Sequence, residues 1–210
     1  MKKFDTEYIE KSPEFRKISE LGYDHIITFV FENIRKSTIS SIFYFFINFL
    51  TLILILYFLV YGLQTGRLTF GEFMREFALG LISGSFLVIP FHEGFHGLAY
   101  KIAGAPKIHF GADLKQMIFY VAAHNFVLSR KQFYLVALAP FVMINIIISI
   151  IYLVTAWFEI HTILFLLLFH NIMCIGDFAM ISFYQVHEDK ELYTFDDLEN
   201  RISFIYEKIH

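Results

Sequence analysis

The chain has 210 residues, of which 57% are apolar and 19% are aromatic. With a mean hydropathy of +0.57, this composition lies well outside the range of ordinary soluble domains. The net charge of −3 and the lack of basic clusters beyond short Lys/Arg pairs exclude a nucleic-acid-binding surface. The single cysteine, Cys174, excludes an internal disulfide. We therefore expect an all-α integral membrane protein with about four transmembrane helices.

Residues 1–36 mix charged side chains with spaced apolar ones, which predicts a cytoplasmic amphipathic segment. Its apolar positions from Leu21 to Phe31 favour a helix that lies on the membrane surface or on the helix bundle. A segment with so many charges differs from the short basic start of a signal peptide, so no cleavage is expected.

Four charge-poor runs follow, each long enough to cross a bilayer, which needs about 20 helical residues. They define a membrane domain over residues 37–186 and cover residues 37–66, 77–104, 132–158 and 160–186. Gly80 and Gly84 in the second run predict close approach of a neighbouring helix, and Pro90 predicts a kink. Basic residues before the first run, and between the second and third, favour a cytoplasmic location for those segments.

Two stretches outside these runs have a different character. Residues 107–122 predict a small cytoplasmic hairpin or loop after the second run. Two short strands could hold an extended peptide at their edge, or the stretch could simply connect two spans. Residues 187–210 are acidic and predict a soluble cytoplasmic tail with a short terminal helix. Both termini are therefore expected in the cytoplasm.

The second run contains His92-Glu93-Gly94-Phe95-His96, which has the HExxH pattern. Residues four apart share one helix face, so His92 and His96 can direct ring nitrogens at one metal ion. Glu93 lies beside the first histidine, where it can take a proton from an attacking water without being a ligand. The pattern predicts a Zn²⁺ site with Glu93 as the catalytic base. Two histidines that only hydrogen-bond each other inside a helix bundle are the alternative.

A catalytic zinc ion usually takes three protein ligands, so a third must come from elsewhere in the chain. Besides Glu93, Asp177 is the only acidic residue in the four runs, and its depth in the fourth run is similar to that of His92 in the second. His170, Cys174 and Asp177 fall on one helical stripe, so His170 is an alternative third ligand and Cys174 a weaker one. We favour Asp177, because an unpaired carboxylate is costly to bury in a bilayer.

Asn171 is a further candidate, as a hydrogen-bond donor to the substrate or the oxyanion, or as a purely structural amide. Together with HEGFH and the Ala-Leu-Ala-Pro-Phe segment at residues 137–141, Asn171 and the later Gly176-Asp177 pair resemble the site-2 protease class of intramembrane zinc metalloproteases. More closely, residues 77–183 are similar to the bacterial putative zincin peptidase family, catalogued as a domain of unknown function.

The resemblance implies a three-helix catalytic core in which His92, His96 and Asp177 hold zinc and Glu93 is the general base. The third motif departs from the site-2 pattern of asparagine, proline and aspartate-glycine. In residues 171–177 a glycine precedes the aspartate, and there is no proline.

These observations predict a membrane-embedded zinc metalloprotease that hydrolyses peptide bonds in or near the membrane. Its substrate would be a transmembrane or membrane-proximal segment of another protein, and its location the cell membrane, as a multi-pass protein in the lipid bilayer. The alternative from another class is a non-catalytic metal-binding membrane protein, a sensor or adaptor, which would not need Glu93. A zinc enzyme that hydrolyses a different bond is a third alternative.

Overall fold

The computed structural model describes residues 4–113, 118–155 and 160–209. The chain is mostly helical, at 65%, as expected, and it also contains strands. The helices are α1 Thr6–Lys11, α2 Ile26–Ile34, α3 Ile39–Gln64, α4 Phe70–Ile82, α5 Ile89–Ala103, α6 Arg130–Thr155, α7 Ile160–Met173 and α8 Ile175–Val186. The strands are β1 Phe15–Gly22, β2 His109–Asp113, β3 Ile118–Ala122, β4 Leu128–Ser129, β5 Glu191–Asp197 and β6 Ile202–Lys208.

Three helical stretches among the described residues are long and apolar enough to cross a membrane. They are Ile39–Gln64, Phe70–Ala103 and Arg130–Val154. The pair formed by α7 and α8 is bent by 47° and would be a fourth crossing if the two helices form one span. Counted with that pair, the number of crossings equals the four that the sequence predicts. The fourth run is not the uninterrupted helix that its sequence predicts. The predicted end of the third run, residue 158, lies outside the described residues.

Capping side chains fix where the first two long helices begin. The Thr38 side chain accepts a hydrogen bond from the backbone N–H of Ser41 at the start of α3. At the start of α4, Thr69 and Glu72 each bond the other's backbone N–H in a capping box. The charged residues before residue 77 predict a loop there. The capping box instead starts the helix at Phe70, so this predicted loop is helical.

Glycines in α4 and in the turn after it allow close packing against α7, as predicted. A Cβ atom on Gly80 would lie 2.3 Å from the Phe165 Cβ, and one on Gly84 would lie 2.6 Å from the Leu166 backbone oxygen. Real Cβ atoms do not approach other atoms so closely, so larger residues would push the two helices apart.

The protein is not all-α as predicted, because it also contains a four-stranded sheet in the order β1-β6-β5-β4. Strands β1, β5 and β6 of this antiparallel sheet come from the two terminal segments. β1 pairs with β6 from Phe15↔Lys208 to Gly22↔Ile202. The hairpin of β5 and β6 replaces the predicted C-terminal helix, and the predicted N-terminal helix is limited to α2. Acidic residues suggested a solvated tail, but they lie at the ends of β5, whose centre is aromatic and β-branched.

The predicted hairpin after the second span is present as β2 and β3, which pair from His109↔Ala122 to Asp113↔Ile118. The sequence predicts the turn at residues 111–113, but these residues belong to β2. Residues 114–117, which include the start of the predicted second strand, lie outside the described residues. The hairpin packs on α5, where a Cβ on Gly97 would lie 3.4 Å from Phe110 and 3.8 Å from Val121. It therefore lies against the helix that carries the HExxH motif.

Candidate active site

The HExxH segment lies in the first two turns of α5, directly after a π-helical turn at Ser83–Leu87. Pro90 is in the first turn of α5, where a missing backbone N–H breaks no helical bond. The predicted irregularity therefore lies in the π turn, where the Val88 N–H donates to the Ser83 oxygen at 3.0 Å. The helix ends at Ala103, as predicted, with Gly104 in the left-handed region at φ 95°.

The two histidines of the motif place their Nε2 atoms 3.2 Å apart. The His92 side chain is 8% exposed and that of His96 is 13% exposed. Their rings are nearly perpendicular, with centroids 4.8 Å apart. The four-residue spacing thus brings both imidazoles to one point on the buried face of α5.

Asp177, in the first turn of α8, extends its carboxylate to both imidazoles. Its Oδ1 lies 3.4 Å from the Nε2 of His96, and its Oδ2 lies 3.6 Å from the Nε2 of His92. The carboxylate is 17% exposed, so this side of the cluster is not sealed. The structure therefore brings together the three side chains that the sequence analysis proposed as ligands, from two separate helices.

The other ring nitrogen of each histidine has its own partner. The Nδ1 of His96 lies 2.9 Å from the backbone oxygen of Val136 on α6, and the Nδ1 of His92 lies 3.3 Å from the Nε2 of His170 on α7. A carbonyl oxygen can only accept, so the Nδ1 of His96 carries the proton and its Nε2 presents a lone pair. The Val136 contact could not be predicted from the sequence, because it comes from the backbone of an apolar residue.

The donor set fits a zinc ion. Catalytic zinc sites combine nitrogen and carboxylate ligands in a tetrahedral arrangement with one open position. Zinc bonds of about 2.0–2.1 Å separate neighbouring tetrahedral ligands by about 3.3–3.4 Å. The separations of 3.2, 3.4 and 3.6 Å between the ligand atoms match this spacing. They are therefore the distances that a shared cation would require.

His170, the alternative third ligand, contacts a different nitrogen of His92 from the one that faces Asp177. With Cys174, whose sulfur lies 3.7 Å from the His170 Nε2, it forms a second, fully buried group around His92. The bend between α7 and α8 divides the predicted stripe, so His170 and Asp177 approach one imidazole from its two nitrogens. His96 belongs only to the group with Asp177.

Glu93 follows His92 on α5 and is partly exposed, unlike the buried His92. Glu93 is therefore the partly exposed residue directly after the first ligand candidate in the motif.

Asn171 is almost fully buried, at 1% exposure, and joins α7 to α6. Its Oδ1 accepts a hydrogen bond of 2.8 Å from the Nδ2 of Asn145, which also donates to the Phe141 oxygen. The asparagine pair thus favours the structural interpretation of Asn171. Asn145 was recognisable in the sequence as a polar residue in an apolar run, but its partner was not.

Comparison with known families gives one match. A family model described as "Putative zincin peptidase" matches residues 85–189, which are half of the chain. The matched region contains the HExxH motif, α6 and Asp177. Comparison with curated proteins and with solved structures gave no match.

Proposed function

The chain belongs to the putative zincin peptidase family, and on that premise we propose that it is a membrane-embedded zinc metalloprotease. His92, His96 and Asp177 would be the zinc ligands and Glu93 the general base. The observation that carries the proposal is the convergence of the two HExxH imidazoles and one carboxylate at separations of 3.2 to 3.6 Å. That convergence requires α5 and α8 to meet, which a chance HExxH pattern would not produce.

The chemistry follows from the residues around the cluster. Zinc in a three-ligand open site supplies Lewis acidity and lowers the pKa of a water molecule to about 7. Glu93, the partly exposed residue after His92, would take the proton from the attacking water and later pass it to the leaving amine. His170 and the Val136 carbonyl contact the Nδ1 atoms of His92 and His96, respectively. Both Nε2 atoms are therefore left to bind the cation.

The four-stranded sheet supports a four-span arrangement. It contains β1 before the first span, β4 between the second and third spans, and β5 and β6 after the last. One sheet lies on one side of a membrane, so the chain must return to that side each time. α3 and the α4–α5 stretch make one return, and α6 followed by the bent α7–α8 pair makes the other. The pair therefore counts as a full crossing, and both termini share the cytoplasmic side with the basic residues.

The hairpin of β2 and β3 is a suitable place for the substrate. A peptide bond must be in an extended segment to be hydrolysed, and a strand edge binds extended peptides through backbone hydrogen bonds. The hairpin packs directly on α5 at Gly97, one residue after His96. A membrane-proximal segment of a substrate protein would pair there and reach the partly exposed Asp177 side of the cluster.

The proposal is tested with purified full-length protein in proteoliposomes, with casein and co-reconstituted transmembrane peptides as probes. We expect about one zinc ion per chain in the wild type and in Glu93→Gln. Cleavage should fall by about 10²–10⁴-fold in Glu93→Gln, the usual contribution of a general base. His92→Ala and Asp177→Ala should both lose zinc. Equal cleavage by wild type and Glu93→Gln would refute the assignment of the base.

The same variants test the non-catalytic alternative and the identity of the third ligand. A zinc-loaded Glu93→Gln protein with full biological activity in cells would favour the sensor or adaptor, because only catalysis needs the carboxylate. Loss of zinc in His92→Ala but not in Asp177→Ala would move the third ligand to another residue.

A further inference from the structure

Pro140 lies in the interior of α6, ten residues after the helix begins, and it is fully buried. A proline at such a position is costly, because it removes one backbone hydrogen bond and its ring crowds the preceding turn. The chain has four prolines. Among the described residues, the other three lie in loops or, for Pro90, in a first helical turn where no bond is lost. Pro140 is therefore the one proline whose cost calls for a compensating role.

The position of the lost hydrogen bond supplies that role. In an α-helix the N–H of residue 140 would donate to the carbonyl oxygen of residue 136. Proline has no N–H, so the Val136 oxygen loses its helical donor. That same oxygen accepts the hydrogen bond from the Nδ1 of His96 at 2.9 Å. The group released by the proline is thus the group that holds an imidazole of the metal cluster.

The contact fixes both the proton and the orientation of His96. Because a carbonyl only accepts, the Nδ1 of His96 must be protonated, and the Nε2 lone pair then points towards His92 and Asp177. A backbone acceptor deep in a helix bundle cannot rotate away as a side chain can. It therefore holds the ring in one orientation as long as no other donor competes for the oxygen.

We propose that Pro140 is a positioning residue of the metal centre: it keeps the Val136 carbonyl free of a helical amide and so reserves this oxygen for His96. The inference rests on the proposed zinc site, but the hydrogen bond itself exists without metal. Pro140 acts through the Val136 backbone and contacts neither substrate nor cation in this role.

The test compares two replacements that differ only at one atom. Pro140→Ala restores an N–H at residue 140, which competes for the Val136 oxygen. The α-hydroxy analogue of alanine at the same position has the same side chain but an ester oxygen in place of the N–H. In the metal-free full chain, ¹⁵N NMR of labelled histidine reports which nitrogen of His96 is protonated. In the same preparations, competition with a chelator gives the zinc affinity.

We expect Pro140→Ala to populate the other His96 tautomer and to weaken zinc binding by about tenfold, the lower end of the range for the loss of an outer hydrogen bond. The loss should lie at the lower end because a carbonyl oxygen has two lone pairs, so the Val136 oxygen can accept from His96 part of the time even when an amide N–H is present. The α-hydroxy variant should keep both the wild-type tautomer and the wild-type affinity.

Two results would overturn the inference. Equal effects of both replacements would mean that the shape of the proline, and not its missing N–H, matters. An unchanged tautomer and affinity in Pro140→Ala would mean that the helical amide does not compete. If wild type bound no zinc, the proposed function would fail, while the tautomer measurement would still decide the role of Pro140.

Discussion

His170 is the only side chain in the described residues that hydrogen-bonds the Nδ1 of His92, so His170→Leu tests how firmly that ligand is held. The two nitrogens are 3.3 Å apart, and His170 is fully buried. For His92 to bind a cation through Nε2, its Nδ1 must carry the proton and His170 must accept it. Leucine fills a similar volume but offers no acceptor. The bond is therefore lost without opening a large cavity.

The expected loss can be estimated from this geometry. Removing the outer partner of a metal-bound histidine typically lowers metal affinity 10–100-fold, which corresponds to about 1.4–2.7 kcal/mol. His170→Gln should recover much of this, because its amide oxygen can accept from the His92 N–H. Chelator competition on the purified protein in detergent measures all three affinities.

His161 provides a matched control on the same helix. It is also a buried histidine of α7, but its ring packs against Phe58 and Phe73, away from the cluster. His161→Leu should leave zinc affinity unchanged. If His170→Leu bound zinc as tightly as wild type, the argument for an outer partner would be wrong. If Cys174→Ala lost the metal while Asp177→Ala kept it, the cation would occupy the group formed by His92, His170 and Cys174.

Two further predictions concern packing and pH. Gly84→Ala places a Cβ 2.6 Å from the Leu166 backbone oxygen, so it should destabilise the protein by about 1–3 kcal/mol in thermal unfolding. Gly71→Ala is the control, because its Cβ would have no neighbour within 4 Å among the described residues, and it should have little effect. Equal destabilisation by both variants would contradict the close contact at Gly84. Burial raises the pKa of Asp196 on β5. The Asp196 carboxyl therefore keeps its proton in the folded protein above about pH 4, where the unfolded chain releases it. The free energy of unfolding should fall as the pH rises above that value. Asp196→Asn should therefore stabilise the sheet at neutral pH and have no such effect below about pH 4, whereas a benefit that persists at low pH would exclude this cause.

The parts of the fold that follow from local sequence were predictable. Long uncharged runs specify helices of membrane-spanning length, because every backbone group is satisfied within the helix itself. The stop at Gly104 also comes from local turn chemistry. The sheet of the two terminal segments was missed, because β1 and β6 pair across almost the whole chain. The residue pattern of each strand does not indicate which other strand it pairs with.

The sequence by itself determined that two histidines share one helix face and that one buried aspartate was available to join them. Periodicity and charge are local properties, so they can be read from the order of residues. Only the tertiary structure decided that His170 meets the second nitrogen of His92, 78 positions away, and that the Val136 carbonyl reaches His96. These contacts depend on how the helices pack and bend. The 47° bend between α7 and α8 cannot be inferred from the helical spacing of His170, Cys174 and Asp177.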